Sequence, residues 1–434
     1  MRSQAMITAR QLAATTLSEI LDEGGYNNIV LNKNLNKHDK ISLAERAMVT
    51  ELVNGTLRNL LLIDHIIACH SQKPVKKPFI KSVLRISVYQ IMFMDKVPDR
   101  AVCDEAVKLA KGKGLVGLSG YVNGVLRNVV RSKDDVKLPD RAKDLAEYLS
   151  VKYSHPKWIV EYFLSFMGAE LVERVCAGGN AVPSMTFCIN TLKTSADELE
   201  AKLTSEGMEV SRADSENTLK VKGSGDVRNL KSFQNGMFHV MDINSMKAIE
   251  LVRLAPKDRV LDLCASPGGK SFYAAQLMEN DGEVLSLDIY MHKMELIKEG
   301  AKRLGLSIVE TAQNDATVFN EKYENKWDKV ILDAPCSGLG VLSKKPDARY
   351  KKSMDDVKEL ANIQRKMLEA AAKYPKIGGK LLYSTCTISV LENEENVRWF
   401  LDNFPYEIEA ELRVLPGEGL GGDGFYAVCM CRKG

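Results

Sequence analysis

The chain has 434 residues, 45% of them hydrophobic and 27% charged, with a formal net charge of +3. That length exceeds one ordinary core and calls for two or three domains, while the composition is that of folded globular protein and excludes general disorder. There is no apolar run of about eighteen residues, no basic and apolar leader and no pair of histidines at zinc-ligand spacing, and the nine cysteines are scattered; a cytoplasmic protein of reduced thiols, with no membrane partner and no metal, is expected.

Residues 5 to 132 read as helix after helix, in ARQLAATTLSEILDEG, LAERAMVTELVNGTLRNLLLIDHIIACH, KPFIKSVLRISVYQIMFMD, DRAVCDEAVKLAKGKG and GYVNGVLRNVVR. Apolar positions recur three and four apart with no strand-like alternation, and Pro98 with Asp99 gives an ordinary helix start before Ala101 to Ala110. The charge is uneven: residues 1 to 150 hold 23 Lys and Arg against 16 Asp and Glu, a net +7, and the remainder holds 37 against 41, a net −4. A polyanion therefore meets the amino-terminal part first.

Arg131 to Asp144 is charged and proline-interrupted, as a linker is, so 1–140 is read as an all-α domain. Helical periodicity returns between Tyr148 and Met167. From Ser184 to Val240, short apolar alternations (MTFCIN, TLKVKG, MFHVMD) surround one amphipathic helix near Ala196 to Glu206. Residues 141–240 are accordingly read as linker helices plus a small α+β module.

From 241 to 434 strands and helices alternate. RVLDLCA, EVLSLDI, SIVETAQND, KVILDAPC and KLLYSTCT are short β-rich runs separated by helical stretches, the pattern of an α/β Rossmann-like domain with a mostly parallel sheet. Ligand chemistry then belongs at the carboxyl ends of the strands. Cys429 and Cys431, two apart in a strand, share a face and are read as packing residues.

The first of these strands ends in Cys264, Ala265, Ser266, Pro267, Gly268, Gly269 and Lys270, and a helix begins at once. Glycines at such a turn let backbone approach a ligand, and the helix start favours an anionic group. The spacing is neither the dinucleotide fingerprint nor a P-loop. Asp288 ends the second strand, where a carboxylate accepts from two ribose hydroxyls; Asp315 ends the third and Asp333 the fourth. Such a ring of acids repels a triphosphate and suits S-adenosylmethionine, which carries a sulfonium and an amine and no phosphate. Lys270 is either a solvated helix residue or the partner of an acid in this pocket, such as Asp333.

Strand four runs into Asp333-Ala334-Pro335-Cys336 and strand five into Ser384-Thr385-Cys386-Thr387, which brings two thiols to one cleft beside the expected cofactor. Methylation of a pyrimidine at carbon 5 needs this kind of group: a thiolate adding to carbon 6 makes carbon 5 nucleophilic, and loss of the carbon 5 proton later expels the thiol. The reaction calls for one activated cysteine, an acid near ring nitrogen 3, with Asp333 placed to hydrogen-bond that ring edge, and a base, either Cys336 or an ordered water.

DLCASPGGK, DAPCSG and YSTCT, in this order and on these strands, resemble the RNA 5-methylcytosine methyltransferases of the NOL1/NOP2/Sun family. The resemblance implies that Cys386 attacks carbon 6 and Cys336 assists product release, with cofactor contacts at Cys264 to Lys270, Asp288, Asp315 and Asp333. DNA cytosine methyltransferases attack with the Pro-Cys cysteine and lack the Thr-Cys motif, and only fifty residues separate Cys336 from Cys386, too few for a DNA-recognition insertion, so no DNA partner is expected.

The closing segment Gly421-Gly422-Asp423-Gly424-Phe425-Tyr426-Ala427 is similar to the family's carboxy-terminal signature. Leu84-Arg85-Ile86, Tyr89-Gln90, Val97-Pro98, Glu105-Ala106-Val107, Leu109-Ala110-Lys111, Gly120-Tyr121-Val122-Asn123 and Val125-Leu126-Arg127 are similar to the NusB-like domain of its bacterial small-subunit ribosomal RNA members. That likeness implies 16S ribosomal RNA as partner, at the position usually called cytosine 967. Asn190-Thr191-Leu192-Lys193 falls where the family has its RNA-facing module. Met241-Asp242-Ile243-Asn244-Ser245 and Ser343-Lys344-Lys345 depart from the usual pattern. The loop Ser343 to Lys352, with four lysines and an arginine, is expected to grip the phosphate backbone. Nothing in the chain resembles a coiled coil, and a monomer is expected.

Overall fold

The computed structural model describes residues 7–71, 73–213, 215–222, 226–418 and 422–433; Gly421 of the closing segment lies outside them. It divides into two compact units, residues 1–180 with 345–351, and 181–344 with 352–434.

The first unit is helical: Ala9–Asp22, Asn27–Lys37, Leu43–Arg58, Leu60–His70, Pro78–Phe93, Asp99–Gly112 and Ser119–Ser132, then Leu145–Tyr153, Lys157–Leu164 and Ala169–Gly178. Leu12, Leu17, Leu52, Leu84, Val122 and Leu126 meet in one core, as their spacing on each helix requires. The apolar stretch from Leu43 to His70 is not one helix. Asn59 ends the first half, its backbone N–H and its side-chain amide both donating to the carbonyl of Gly55, and the two halves meet at 79°. Asn27–Lys37 carries few apolar residues, so its periodicity was too weak to read. Among the described residues no single helix is long and apolar enough to cross a membrane.

The second unit carries two sheets. The smaller comprises β1 (Met185–Ile189), β2 (Glu209–Arg212), β3 (Thr218–Lys222) and β4 (Phe238–Val240), in the order β2-β3-β1-β4 with antiparallel pairing, and Ala196–Ser205 is its helix. β2 is the strand the sequence hides: an exposed edge of EVSR has no apolar face to alternate. Phe187 stacks on Phe238 at 4.1 Å to centre this small core.

The larger sheet comprises β5 (Arg259–Asp262), β6 (Glu283–Asp288), β7 (Val309–Gln313), β8 (Trp327–Asp333), β9 (Pro375–Thr385), β10 (Tyr406–Val414) and β11 (Phe425–Arg432). Its order is β10-β11-β9-β8-β5-β6-β7, parallel from β9 through β7 and antiparallel at β10 and β11. The chain starts at β5, adds β6 and β7 on one side and β8 and β9 on the other. The strand order therefore reverses between β5 and β8, and the crevice at that reversal is where such sheets bind ligands. Val260, Leu261, Val330, Ile331, Leu381 and Leu382 are fully buried, as strands covered on both faces must be. Cys429 and Cys431 are buried in β11, and none of the nine cysteines is in a disulfide.

Candidate active site

At the switch point a cavity of about 150 Å³ is lined by Cys264, Ala265, Ser266, Pro267, Gly269 and Lys270 of the turn after β5, with Asp262, Asp333, Val240, Met241 and Ser245. The turn is possible because Gly268 adopts φ +107°; a Cβ there would stand 2.3 Å from the Phe272 ring. A Cβ at Gly269 would make only ordinary contact with Met241, at 3.9 Å, and Gly269 opens the helix Gly269–Leu277 at the cavity wall.

Lys270 Nζ donates to Asp333 Oδ2 at 2.6 Å, and Ser384 Oγ donates to Asp333 Oδ1 at 2.7 Å. Burial pulls the Lys270 ammonium down, but Asp333, Asp262 and Cys386 together outweigh it, and its titration ends above the ordinary lysine range. Asp333 is thus fixed in orientation by a strand neighbour and a cation. The two thiols follow on adjacent strands: Cys336 Sγ lies 3.1 Å from Cys386 Sγ. The hydrogen bond to Cys386, burial and the negative charges of Cys386 and Glu392 push the Cys336 thiol well above the ordinary range. Either thiol can donate in this contact, so the two lose their protons as a coupled pair.

Asp288, the last residue of β6, and Asp315, just past β7, do not line that cavity, although Asp288 acts on the charge of Cys264, which does. Asp288 is buried, accepts from the Tyr290 N–H at 3.0 Å and has Lys293 at 3.7 Å. Asp315 is exposed and spends Oδ1 on the N–H and hydroxyl of Thr317, at 2.9 and 2.7 Å. The Asn314 N–H donating to the Asp288 carbonyl ties the two strand ends together at 3.2 Å.

Three residues escaped sequence reasoning. Asp262 is wholly buried at the end of β5; Oδ2 accepts from Ser271 Oγ at 2.7 Å, while Oδ1 has no hydrogen-bond partner among the described residues. Its position before the glycine turn was the available signal. Ser384 is legible only once β8 and β9 are paired, since it faces Asp333 across the ladder. Glu392 reads as one of several acids near a helix start, and no pattern announces that it reaches Ser337.

The loop expectation needs correction. Lys344 is held by Asp242 at 2.6 Å and Asp423 at 2.7 Å. Arg349 is fully buried and donates to the carbonyls of Ser154 and Gly179 and to Asn180 Oδ1 at 3.0, 2.9 and 2.7 Å. Lys351 pairs with Asp347 at 3.4 Å. Burial commits Arg349 to those partners, and Lys344 and Lys351 are taken up in ion pairs nearer the surface, so these three of the loop's five cations are not available to grip a phosphate. Asn190 is likewise internal, donating to the carbonyls of Gly236 and Leu304, both at 2.8 Å.

An unpaired buried carboxylate oxygen, a second carboxylate facing a lysine, and a helix start open to the cavity suit a ligand that carries both a cation and a carboxylate. S-adenosylmethionine has both, and the residues present fit it. Residues 249–423 match the family described as 16S rRNA methyltransferase RsmB/F, 7–131 match the NusB family, and 155–228 match the ferredoxin-like domain of the RsmF/B-like methyltransferases. The chain is 37% identical to a probable ribosomal RNA small subunit methyltransferase B of Bacillus subtilis, over 98% of this chain and 99% of that one. It is 30% identical to ribosomal RNA small subunit methyltransferase B of Proteus mirabilis, over 98% of each. A crystal structure titled PH0851 superposes with a TM-score of 0.78 at 27% identity, covering 99% of this chain and all of that one. The chain belongs to the RsmB/F family of S-adenosylmethionine-dependent 16S ribosomal RNA methyltransferases.

Proposed function

We propose that the protein methylates carbon 5 of a cytosine in 16S ribosomal RNA, with Cys386 as nucleophile, Cys336 as the release residue and Asp333 as the group that holds the base. The observation that carries this reading is the pair of thiols 3.1 Å apart at the ends of β8 and β9, beside a cavity lined by Asp333 and Lys270. One thiol would serve simple positioning; two in contact suit a reaction that must form a carbon–sulfur bond and later break it.

When bound, the cofactor supplies an electrophilic methyl group; Cys264 to Lys270, Asp262 and Asp288 are the residues assigned to hold it, with Asp315 at the neighbouring strand end. The Cys386 thiolate adds to carbon 6, which raises electron density at carbon 5. Lys270 and Ser384 both donate to Asp333, so Asp333 acts as an acceptor, suited to the exocyclic amine on that edge of the base. After methylation the carbon 5 proton leaves to an ordered water, the ring double bond re-forms and the Cys386–carbon 6 bond breaks, the departing sulfur taking up the proton that Cys336 holds. The remaining assignments are cytosine 967 as target, a cytoplasmic monomer, no DNA or membrane partner, and a division of labour among residues 1–140, 141–240 and 241–434.

Small-subunit RNA carrying 5-fluorocytosine tests this, because fluorine at carbon 5 cannot leave as a proton and the adduct persists. Wild-type protein with cofactor is expected to give an adduct stable on a denaturing gel. Cys386→Ala should abolish it and lower methyl transfer by roughly 10⁴-fold or more, whereas Cys336→Ala should keep the adduct. An adduct lost in Cys336→Ala and kept in Cys386→Ala reverses the roles.

A further inference from the structure

Glu392 lies in the turn between β9 and the helix Glu394–Asn403 and is fully buried. Its carboxylate accepts from the Ser337 N–H at 2.8 Å, the Ser337 hydroxyl at 2.5 Å and the Gln364 side-chain amide at 3.0 Å. Gln364 also donates to the carbonyl of Pro335 at 2.9 Å. Both neighbours of Cys336 are thereby tied to one carboxylate and one amide. Since the Ser337 hydroxyl gives its proton to Glu392, it accepts from Thr387 Oγ1 in their 2.8 Å contact, which brings the residue after Cys386 into the same network. The Gly340 N–H donating to the Cys386 carbonyl at 3.1 Å closes the second side.

Burial pushes the Glu392 carboxyl up while these donors and the Ser389 hydroxyl favour its ionised form; a neutral acceptor would satisfy the same donors with less desolvation. Its charge therefore calls for an explanation beyond packing. We propose that Glu392 is a positioning residue for the two-thiol site: it clamps the Cys336 loop against the Cys386 loop, and its negative charge keeps the shared proton on Cys336 so that the thiolate forms on Cys386. The proposal rests on Cys386 being the nucleophile. Around Cys336 the other groups are Cys386 and the Gly338 backbone, the latter favouring its thiolate. Lys270 is the cation that Cys386 acts on, and the Tyr383 hydroxyl donates to the Glu392 carbonyl at 2.6 Å. Glu392 is thus the anion on the Cys336 side and Lys270 the cation on the Cys386 side, a gradient that separates the two thiols.

The test is the initial rate of iodoacetamide alkylation at each cysteine of the full-length protein, read by peptide mass spectrometry across a pH series. In the wild type, Cys386 reacts at lower pH than Cys336. Glu392→Gln should bring the Cys336 profile down by roughly one pH unit and slow methyl transfer about tenfold, and Glu392→Asp, which keeps the charge, should restore the Cys336 profile. A folded Glu392→Gln variant with the wild-type Cys336 profile overturns the proposal. If that variant does not fold, Ser337→Ala decides: about tenfold slower turnover supports the clamp, and wild-type turnover overturns it. A shifted profile without any 5-fluorocytosine adduct leaves the clamp standing and sinks the nucleophile assignment; an adduct with an unshifted profile does the reverse.

Discussion

Two enclosed cations, one in each compact unit, are held in opposite ways. Arg349 of the helical unit donates chiefly to neutral acceptors, the carbonyls of Ser154 and Gly179 and the side-chain oxygen of Asn180, with His155, Cys176 and Tyr350 nearby. Lys270 of the sheet unit faces Asp333, with Asp262 and Cys386 acting on it from nearby, and it lines a cavity. Burial pulls both side chains down, and only at Lys270 do neighbouring anions more than reverse it. A buried charge closed by neutral dipoles holds a fold; a buried charge set among ionisable groups beside open space is arranged for chemistry.

The sharpest way to break that contrast is to neutralise the partner of Lys270. Asp333→Asn should lower kcat/KM by roughly 10²- to 10³-fold in a methyl-transfer assay, since it removes the acceptor for the base and unpairs the cation; a loss below fivefold would return Asp333 to a structural role. Next come the cations themselves. Arg349→Ala should cost about 3 kcal/mol of stability, from the lost packing of a fully buried side chain and from the Gly179 carbonyl and Asn180 Oδ1 left unsatisfied at about 1 kcal/mol each, while cofactor affinity stays within about twofold. Lys270→Ala should cut activity about 100-fold with a smaller loss of stability, because the Asp333 side chain is 31% exposed and can rehydrate. Urea titrations and cofactor-binding isotherms on both variants separate the two patterns, and equal effects on both readouts would erase the distinction.

The same contrast explains what was legible. The parallel strands and their order of motifs could be read because most of them centre on a short buried apolar run that ends in turn residues; the edge strand β7, VETAQ, is the exception. The helical unit could be read from its three- and four-residue spacing, except at Asn59, where one polar side chain turns an apolar stretch into two helices. Charges were harder. Lys344 and Arg349 look like phosphate-binding residues in a basic loop, and only tertiary structure shows that Asp242, Asp423 and backbone carbonyls claim them. Glu392 was hidden for the converse reason: its partner Ser337 is 55 positions away, and the bond exists only after β8 and β9 pair.

Asp262 gives the finest test of the contrast, because it is the buried charge with an oxygen left open. Burial pushes its carboxyl up to about 6 from 3.8, against the pull of Ser271 and Lys270 and with Asp333 adding to the rise. The folded protein then binds a proton, between those values, that the unfolded chain has released. Stability must therefore fall as pH rises through that window and stay lower above it, by roughly 3 kcal/mol for this group alone. Asp262→Asn should flatten the dependence and be the more stable protein above about pH 6. The ligand dependence runs the other way. Only the ionised carboxylate attracts a cationic ligand, so cofactor affinity should rise about tenfold between roughly pH 5 and pH 7 in the wild type and stay level in the variant. Stability curves and binding isotherms of the two proteins over that range give both slopes. If the variant keeps the wild-type slope in each, the open oxygen of Asp262 is a packing defect and the cavity takes its charge from Asp333 alone.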